Sequence, residues 1–512
     1  MTQSAATSED LGRLTWKVFT RSHGITLQAE AAILLQQLIK DTLPEDRTTL
    51  LNHIASSFQK RYSGVALAGR AEIESVVSDI MRRTQVEQGA SDTRTFTHVF
   101  SAFEQPVFRI ENKVYRRVET KAGLLSSCNK IDMLQQRFEA IKLRLSRFPG
   151  NMFQGPIQGI KDVKGRDSAN TVFVLGMLAQ VQEGLFSMED FDDEMVLAFA
   201  DESSLSLPEG ILCEGCIVIA EGSVNTNIFN AKALHLPPAE YRSHKSTAGL
   251  LPSFIDPKAD LVLLDRLLQN QSDPSLVVLS EVHLDDYQTM CHLEQLLGSI
   301  KPPCLLVLCG QFLKNRMKAG PRLFEVYRTR FAALGRLLSR YMHILGHTKI
   351  VLIPSTGETS QLFPVLPFSN ALLKCFPNQL DVTFGSNPCR IQFLKFEIVV
   401  IRDEMTDRLL RNAIITPRIT PLMSVQTVNT ILAQAHLSPF ATSLRTVMPG
   451  LDHFLHLTPL PHLLIIAESL PNYCITRPDC VILNPGCFSD GNARASCVRY
   501  SFSSERHEIL IL

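Results

Sequence analysis

The sequence predicts an α+β chain of several domains, and three observations carry that expectation. Apolar residues recur at helical spacing near the start, short strands bounded by turn residues crowd the middle, and wholly apolar strands alternate with helices after about residue 260. The implied divisions are a small helical domain over 1–85, a connecting segment over 86–150, a barrel over 151–260 and a layered α/β domain over 261–512.

In the first division, Leu27, Ala31, Leu34, Leu35 and Leu38 share one helical face, as do Leu51, Ile54, Ala55 and Phe58, and then Ile73, Val76, Val77, Ile80 and Met81. Gly24, Pro44 and the stretch Gly64 to Gly69 punctuate them, so four helices are expected. A polar, glycine-containing stretch at 87–92 follows, then a basic helical segment from Ile131 to Phe148 whose Lys142, Arg144 and Arg147 read as a solvated face. NTVFVLGMLAQVQEG, EMVLAFAD and ILCEGCIVIAEG, packed into fewer than about 100 residues, favour an OB-like barrel. LVVLSEVHLDD, CLLVLCGQF and KIVLIPS alternate with helical segments at 286–300 and 322–345, which implies a sheet covered on both faces. EIVVIRDEM, HLLIIAESL, CVILNPGCF and SERHEILIL supply strands of the same or a packed second sheet.

Composition narrows the function classes. Of the 512 residues, 45% are hydrophobic and 20% charged, the balance of a folded chain. Lys plus Arg and Asp plus Glu both number 51, so no net charge drives tight, sequence-independent binding to phosphate backbones. An intracellular protein is expected, since no leader pattern opens the sequence and no apolar run reaches the ~18 residues that span a bilayer. The cysteines lie largely in apolar runs and read as reduced buried thiols; Cys213 and Cys216 have no second pair at zinc-ribbon spacing, and Cys474, Cys480, Cys487 and Cys497 match no compact zinc motif. Lys314, Arg316, Lys318 and Arg322 form the densest basic run and read as solvated loop charges. No serine elbow, phosphate-binding loop or dinucleotide fingerprint is present.

The ends of the later strands carry the remaining signal. They present Glu281 and His283 in VVLSEVHLDD, Gly310 and Gln311 in LLVLCGQF, and Pro354, Ser355 and Thr356 in KIVLIPSTGE with Glu358 nearby. Next come His436 in ILAQAHLSPF, then Glu468, Ser469 and Asn472 in HLLIIAESLPNY. A two-metal phosphoesterase places Asp-x-His, Gly-Asp, Gly-Asn-His, a lone His and Gly-His-x-His at such positions, because two cations need many oxygen and nitrogen ligands. Here Glu281 and His283 keep part of the first pair and His436 matches the lone histidine, but Gln311 is a neutral amide that cannot bridge two cations. Too few ligands remain for a metal pair.

The order of these degenerate motifs, with SNPCRIQF at 386–393, VLGMLAQVQEG and VIAEG, resembles the B subunits of eukaryotic replicative DNA polymerases, and among them those of DNA polymerase epsilon. The resemblance implies an OB fold joined to an inactivated calcineurin-like phosphoesterase α/β sandwich, with Glu281, His283, Gln311 and His436 as vestigial positions, no catalytic residue, no metal and no cofactor. It implies a nuclear accessory subunit that holds the cysteine-rich C-terminal domain of the catalytic polymerase subunit. The helical domain is implied to reach the GINS part of the replicative helicase; small histone-fold subunits share the complex, DNA contact is weak or indirect, and no membrane is involved. Two alternatives stay open: an active metal-dependent phosphodiesterase or nuclease with Glu281, His283 and His436 in a relocated centre, and the B subunit of polymerase alpha or delta.

Overall fold

The computed structural model describes residues 8–40, 47–62, 67–77, 97–100, 107–111, 114–118, 129–148, 153–166, 168–182, 184–199, 205–242, 264, 268–269, 273–315, 320–415, 422–489 and 494–512. The chain divides into two compact units, Met1–Asp92 and Thr93–Leu512. In the first, helices Ser8–Trp16, Ala29–Lys40 and Arg47–Arg61, a π-helical turn Lys17–Ser22 and a helical stretch at 70–77 bury Phe19, Leu35, Ile54, Phe58 and Ile73. Gly24, at φ +67°, ends the first helical run. Leu27 is not helical: Thr26–Leu27 pairs in parallel with Leu67–Ala68, a two-residue ladder too short for any periodicity to reveal. Pro44, Gly64, Ile80, Met81 and the 87–92 stretch lie outside the described residues, as do Arg316 and Lys318.

The second unit opens its compact body with a barrel. Strand Ser168–Gln182 pairs antiparallel with both Leu185–Glu189 and Ile217–Asn225, while Ile228–His235 joins Ile217–Asn225 to Glu194–Phe199 and so closes the ring. Val174, Leu178, Met188, Leu197, Val218 and Phe229 fill its interior. Helix Lys130–Arg147 starts at Asn129, whose side chain accepts the Asp132 N–H at 2.7 Å, and lays Phe138 and Ile141 against Phe173, Leu175, Ile217 and Ile219. Its basic residues are not uniformly solvated. Lys142 is exposed, but Arg144 is buried and donates to the carbonyls of Leu432 and Ala433, and Arg147 pairs with Glu240. The reason is that Arg144 meets the C-terminal carbonyls of helix Met423–Gln434, where a cation is favoured.

Beyond the barrel stand two six-stranded sheets. The first runs Asp381–Phe384, Lys349–Ile353, Leu305–Cys309, Ser275–Leu279, Ser496–Ser501, Arg506–Ile511, parallel over the first four strands and antiparallel thereafter. The second runs Tyr473–Arg477, Cys480–Asn484, Leu463–Ala467, Phe396–Arg402, Cys389–Phe393, Thr97–Phe100. Thus part of the segment read as a connector is an edge strand of the second sheet, and SERHEILIL belongs to the first.

Strand side chains alternate in direction, so each apolar strand buries both faces. Val277, Leu279, Leu306 and Leu308 pack under helices Tyr287–Ser299 and Pro321–Arg340, whereas Val399, Ile401, Leu464 and Ile466 pack under helices Met405–Arg411 and Met423–Gln434. The alternate residues, among them Val278, Val307, Val400 and Ile465, are equally buried and lie between the sheets, where Phe393 stacks on Phe502 at 4.5 Å. Among the described residues no helix is long and apolar enough to cross a membrane.

Candidate functional site

The parallel strands of both sheets aim their C-terminal ends at one place, and the group at its centre is the guanidinium of Arg402. Val399 and Ile401 point outward from strand Phe396–Arg402, so alternation turns Arg402 inward, between the sheets. It is 4% exposed and uses four N–H donors: Nε to the Gly310 carbonyl at 2.7 Å, one terminal nitrogen to Glu404 Oε1 at 2.7 Å and the Ala467 carbonyl at 3.1 Å, the other to Glu281 Oε1 at 2.6 Å. Ser469 Oγ lies 2.6 Å from Glu281 Oε1 and 2.7 Å from Glu404 Oε1, and its single proton serves one carboxylate at a time. Asn387 fixes the strand end, accepting the Arg402 N–H at 3.0 Å and donating to the Arg402 carbonyl at 2.7 Å.

Electrostatics follow from these contacts. Burial pushes the Glu281 carboxyl up, but hydrogen bonds from Cys487 and Ser469 together with the Arg402 charge outweigh it and leave the group below its ordinary range. Burial likewise works against the Arg402 cation, and Glu404 and Glu281 overcome it. Glu281 adopts φ +56°, a left-handed conformation that costs an L-residue about 1–2 kcal/mol and is held here by the ion pair. His283 is half-buried; burial lowers its pKa against the pull of Glu281 and Asp285.

Glu358 closes the floor. It is half-buried and accepts from Phe312 N–H at 2.7 Å, Ser355 N–H at 2.6 Å and Tyr327 O–H at 3.0 Å, and desolvation pushes its carboxyl up despite them. Gly310 is required beneath it, since a Cβ there would stand 2.1 Å from Glu358 Oε2. The Gln311 amide donates to the Leu313 carbonyl at 2.7 Å. Of the last motif, Ser469 joins the centre, Asn472 is half-buried, and Glu468 is fully buried toward Thr406 and Tyr473, with burial raising its pKa to about 8.

His436 is not brought to Glu281 and His283. It follows helix Met423–Gln434, on the outer face of the second sheet, and meets Asp452 Oδ1 at 3.3 Å through Nε2. Asp452 also takes His456 Nε2 at 3.1 Å and two donors of Arg137 at 3.2 and 2.5 Å, and Arg390, outward-facing on its strand, donates to the His456 carbonyl. The tautomer is fixed: Nδ1 of His436 accepts the Ser438 N–H at 3.0 Å, so the ring proton sits on Nε2, toward Asp452. Burial and the Arg137 charge lower the His436 pKa to about 3, while Arg137 and His436 outweigh burial to hold Asp452 well below the usual carboxylate range. His436, Asp452 and His456 sit close enough to hold a metal ion, yet the carboxylate is already occupied by a guanidinium.

Sequence reasoning missed Arg402, Glu404, Asp452 and His456. The signal for the first two is the charged triplet Arg402, Asp403, Glu404 ending an apolar strand, since charge at the end of a strand buried on both faces needs partners. What results is a saturated ion-pair cluster with a side-chain cation where strand-end ligands converge. Its carboxylates, Glu281 and Glu404, are both paired with Arg402.

Comparison with known proteins follows the same division. The family model for the B subunit of DNA polymerase alpha/epsilon matches residues 276–475, and the model for the OB-fold domain of DNA polymerase epsilon subunit 2-like proteins matches 127–238. The chain belongs to the B-subunit family of DNA polymerase epsilon. It is 26% identical over 505 residues to the DNA polymerase epsilon subunit 2 of Mus musculus, covering 91% of this chain and 92% of that one. It is 29% identical to the DNA polymerase epsilon B subunit of Schizosaccharomyces pombe, over 76% of this chain and 72% of that one. A solved archaeal phosphodiesterase aligns over 46% of this chain and 99% of its own at 6% identity and a TM-score of 0.27, too low to bear on fold or activity.

Proposed function

We propose that the chain is a non-catalytic accessory subunit of the DNA polymerase epsilon complex, in which a phosphoesterase-like sandwich has exchanged metal ions for an arginine. The observation that carries this reading is Arg402, a fixed cation already neutralised by Glu281 and Glu404 where a metal pair would need those carboxylates free. The body from the barrel onward holds the cysteine-rich C-terminal domain of the catalytic subunit, and residues 1–85 tether the polymerase to the GINS part of the helicase. The small histone-fold subunits belong to the same nuclear complex, and DNA contact is weak or indirect.

Two measurements test the halves separately. The purified chain is expected to bind no stoichiometric manganese and to leave phosphodiesters intact with manganese or magnesium, and Gln311→Asp alone is expected to restore neither. Turnover abolished by His283→Ala and His436→Ala would revive the enzyme reading. Affinity purification from cells should recover the catalytic chain of polymerase epsilon rather than alpha or delta. Deleting residues 1–85 should keep that partner and lose most GINS association; loss of the polymerase instead would place the main interface on the helices.

A further inference from the structure

Between helix Lys130–Arg147 and the barrel runs a groove of about 610 Å³. Its floor is aromatic and aliphatic, formed by Phe138, Leu145, Phe153 and Phe191. Phe191 is 43% exposed and meets the edge of Phe138 at 5.7 Å, so a large apolar side chain stands open to solvent at the groove mouth. The rim is predominantly acidic. Glu139, Asp162, Asp190 and Asp192 oppose the single Lys142, which gives four negative charges against one positive, a local net charge of −3.

The rim is also preorganised. Asp190 accepts the N–H groups of Asp192 and Asp193 at 2.8 Å through one oxygen and that of Ile160 at 3.0 Å through the other, tying two barrel turns together beside the groove. Lys142 is 64% exposed and stands 3.8 Å from Glu139, a solvent-exposed pair that adds little to stability.

We infer that this groove docks a basic amphipathic polypeptide segment, its lysines or arginines meeting the acidic rim and one or two aliphatic or aromatic side chains entering beside Phe191 and Phe138. Opposed charge steers and orders such a segment while burial of its apolar residues supplies affinity. Single-stranded nucleic acid is the alternative that aromatic residues on a barrel suggest, because bases stack on them. The rim decides against it: single strands follow positive grooves, and a net charge of −3 repels a phosphate backbone. This docking surface does not depend on the accessory-subunit reading, since it rests on the groove alone.

The test is selection of random peptides displayed on phage against the full-length chain. The expected outcome is a consensus rich in lysine and arginine with large apolar anchors. A synthetic peptide of that consensus should bind about tenfold more weakly to Phe191→Ala and to Glu139→Lys with Asp192→Lys, and unchanged to Glu508→Lys on a remote exposed strand. All the altered side chains reach solvent, and matched thermal unfolding of the variants establishes that they fold. An acidic consensus, no consensus, or a consensus indifferent to the groove variants overturns the proposal. So does labelled oligothymidylate that binds the chain and is lost with Phe191→Ala.

Discussion

Arg402 and Asp452 lie on opposite faces of one sheet and are electrostatic inverses. On the inner face a cation gathers two carboxylates and two carbonyls; on the outer face a carboxylate gathers a guanidinium and two imidazoles. Both central groups are buried. They differ in who supplies the charge. The inner hub is built from strand ends of the two sheets, whereas the outer one borrows Arg137 from the helix beside the barrel. The inner hub therefore closes the sandwich, and the outer hub fastens barrel to sandwich.

The largest expected effect is at the inner hub. Arg402→Met strands Glu281 and Glu404 without their cation and should lower stability by about 3–5 kcal/mol in denaturant unfolding. Arg402→Lys should fall between, keeping the charge and losing the fork. A neutral Arg402→Met would mean the acids find other partners and the hub is ornamental.

Next comes Asp452→Asn, expected to cost about 2–4 kcal/mol because Arg137 loses its anion. Pairing it with Arg137→Met should return part of the loss, and strict additivity would break the idea that the two residues act as one fastener.

Glu468 and His436 should carry opposite slopes along the pH axis. Burial raises Glu468 to about 8 from 4.5, so its contribution is complete below pH 4.5 and is lost as pH rises through about 8. Glu468→Gln should flatten the fall in stability between pH 4.5 and about 8, by at most about 1.4 kcal/mol per pH unit. His436 is shifted the other way, from 6.5 to about 3, so its contribution is complete above pH 6.5 and shrinks as pH falls toward 3. His436→Gln should flatten the acid side only; a change on the alkaline limb would refute the assignment. The smallest effect belongs to Gln311→Ala, under about 1 kcal/mol, since its hydrogen bond to the Leu313 carbonyl lies within its own loop.

Strands were readable because apolar runs such as LLVLC and LLIIA are buried on both faces and declare themselves without neighbours. The barrel was readable for a similar reason: its short strands are set off by turn residues. Glu281 could be placed at a strand end, but its partner Arg402 is 121 positions away, and no local pattern encodes such a pairing. Arg144 misled for the complementary reason. A basic residue on an amphipathic helix looks solvated until another element covers that face, here the carbonyl end of Met423–Gln434. Thr97–Phe100 was missed because four residues carry too little periodicity to outweigh the polar stretch before them.

That same short strand sets an order of events for a growing chain. Thr97–Phe100 leaves the ribosome early, yet the strand it completes, Cys389–Phe393, is made only about 290 residues later. Its ladder groups must wait unpaired, or be shielded, while the barrel folds between them, and closing so long a loop comes late. A polypeptide begun just after Phe100 would leave Cys389–Phe393 as an open edge, a template for self-association rather than a finished sheet.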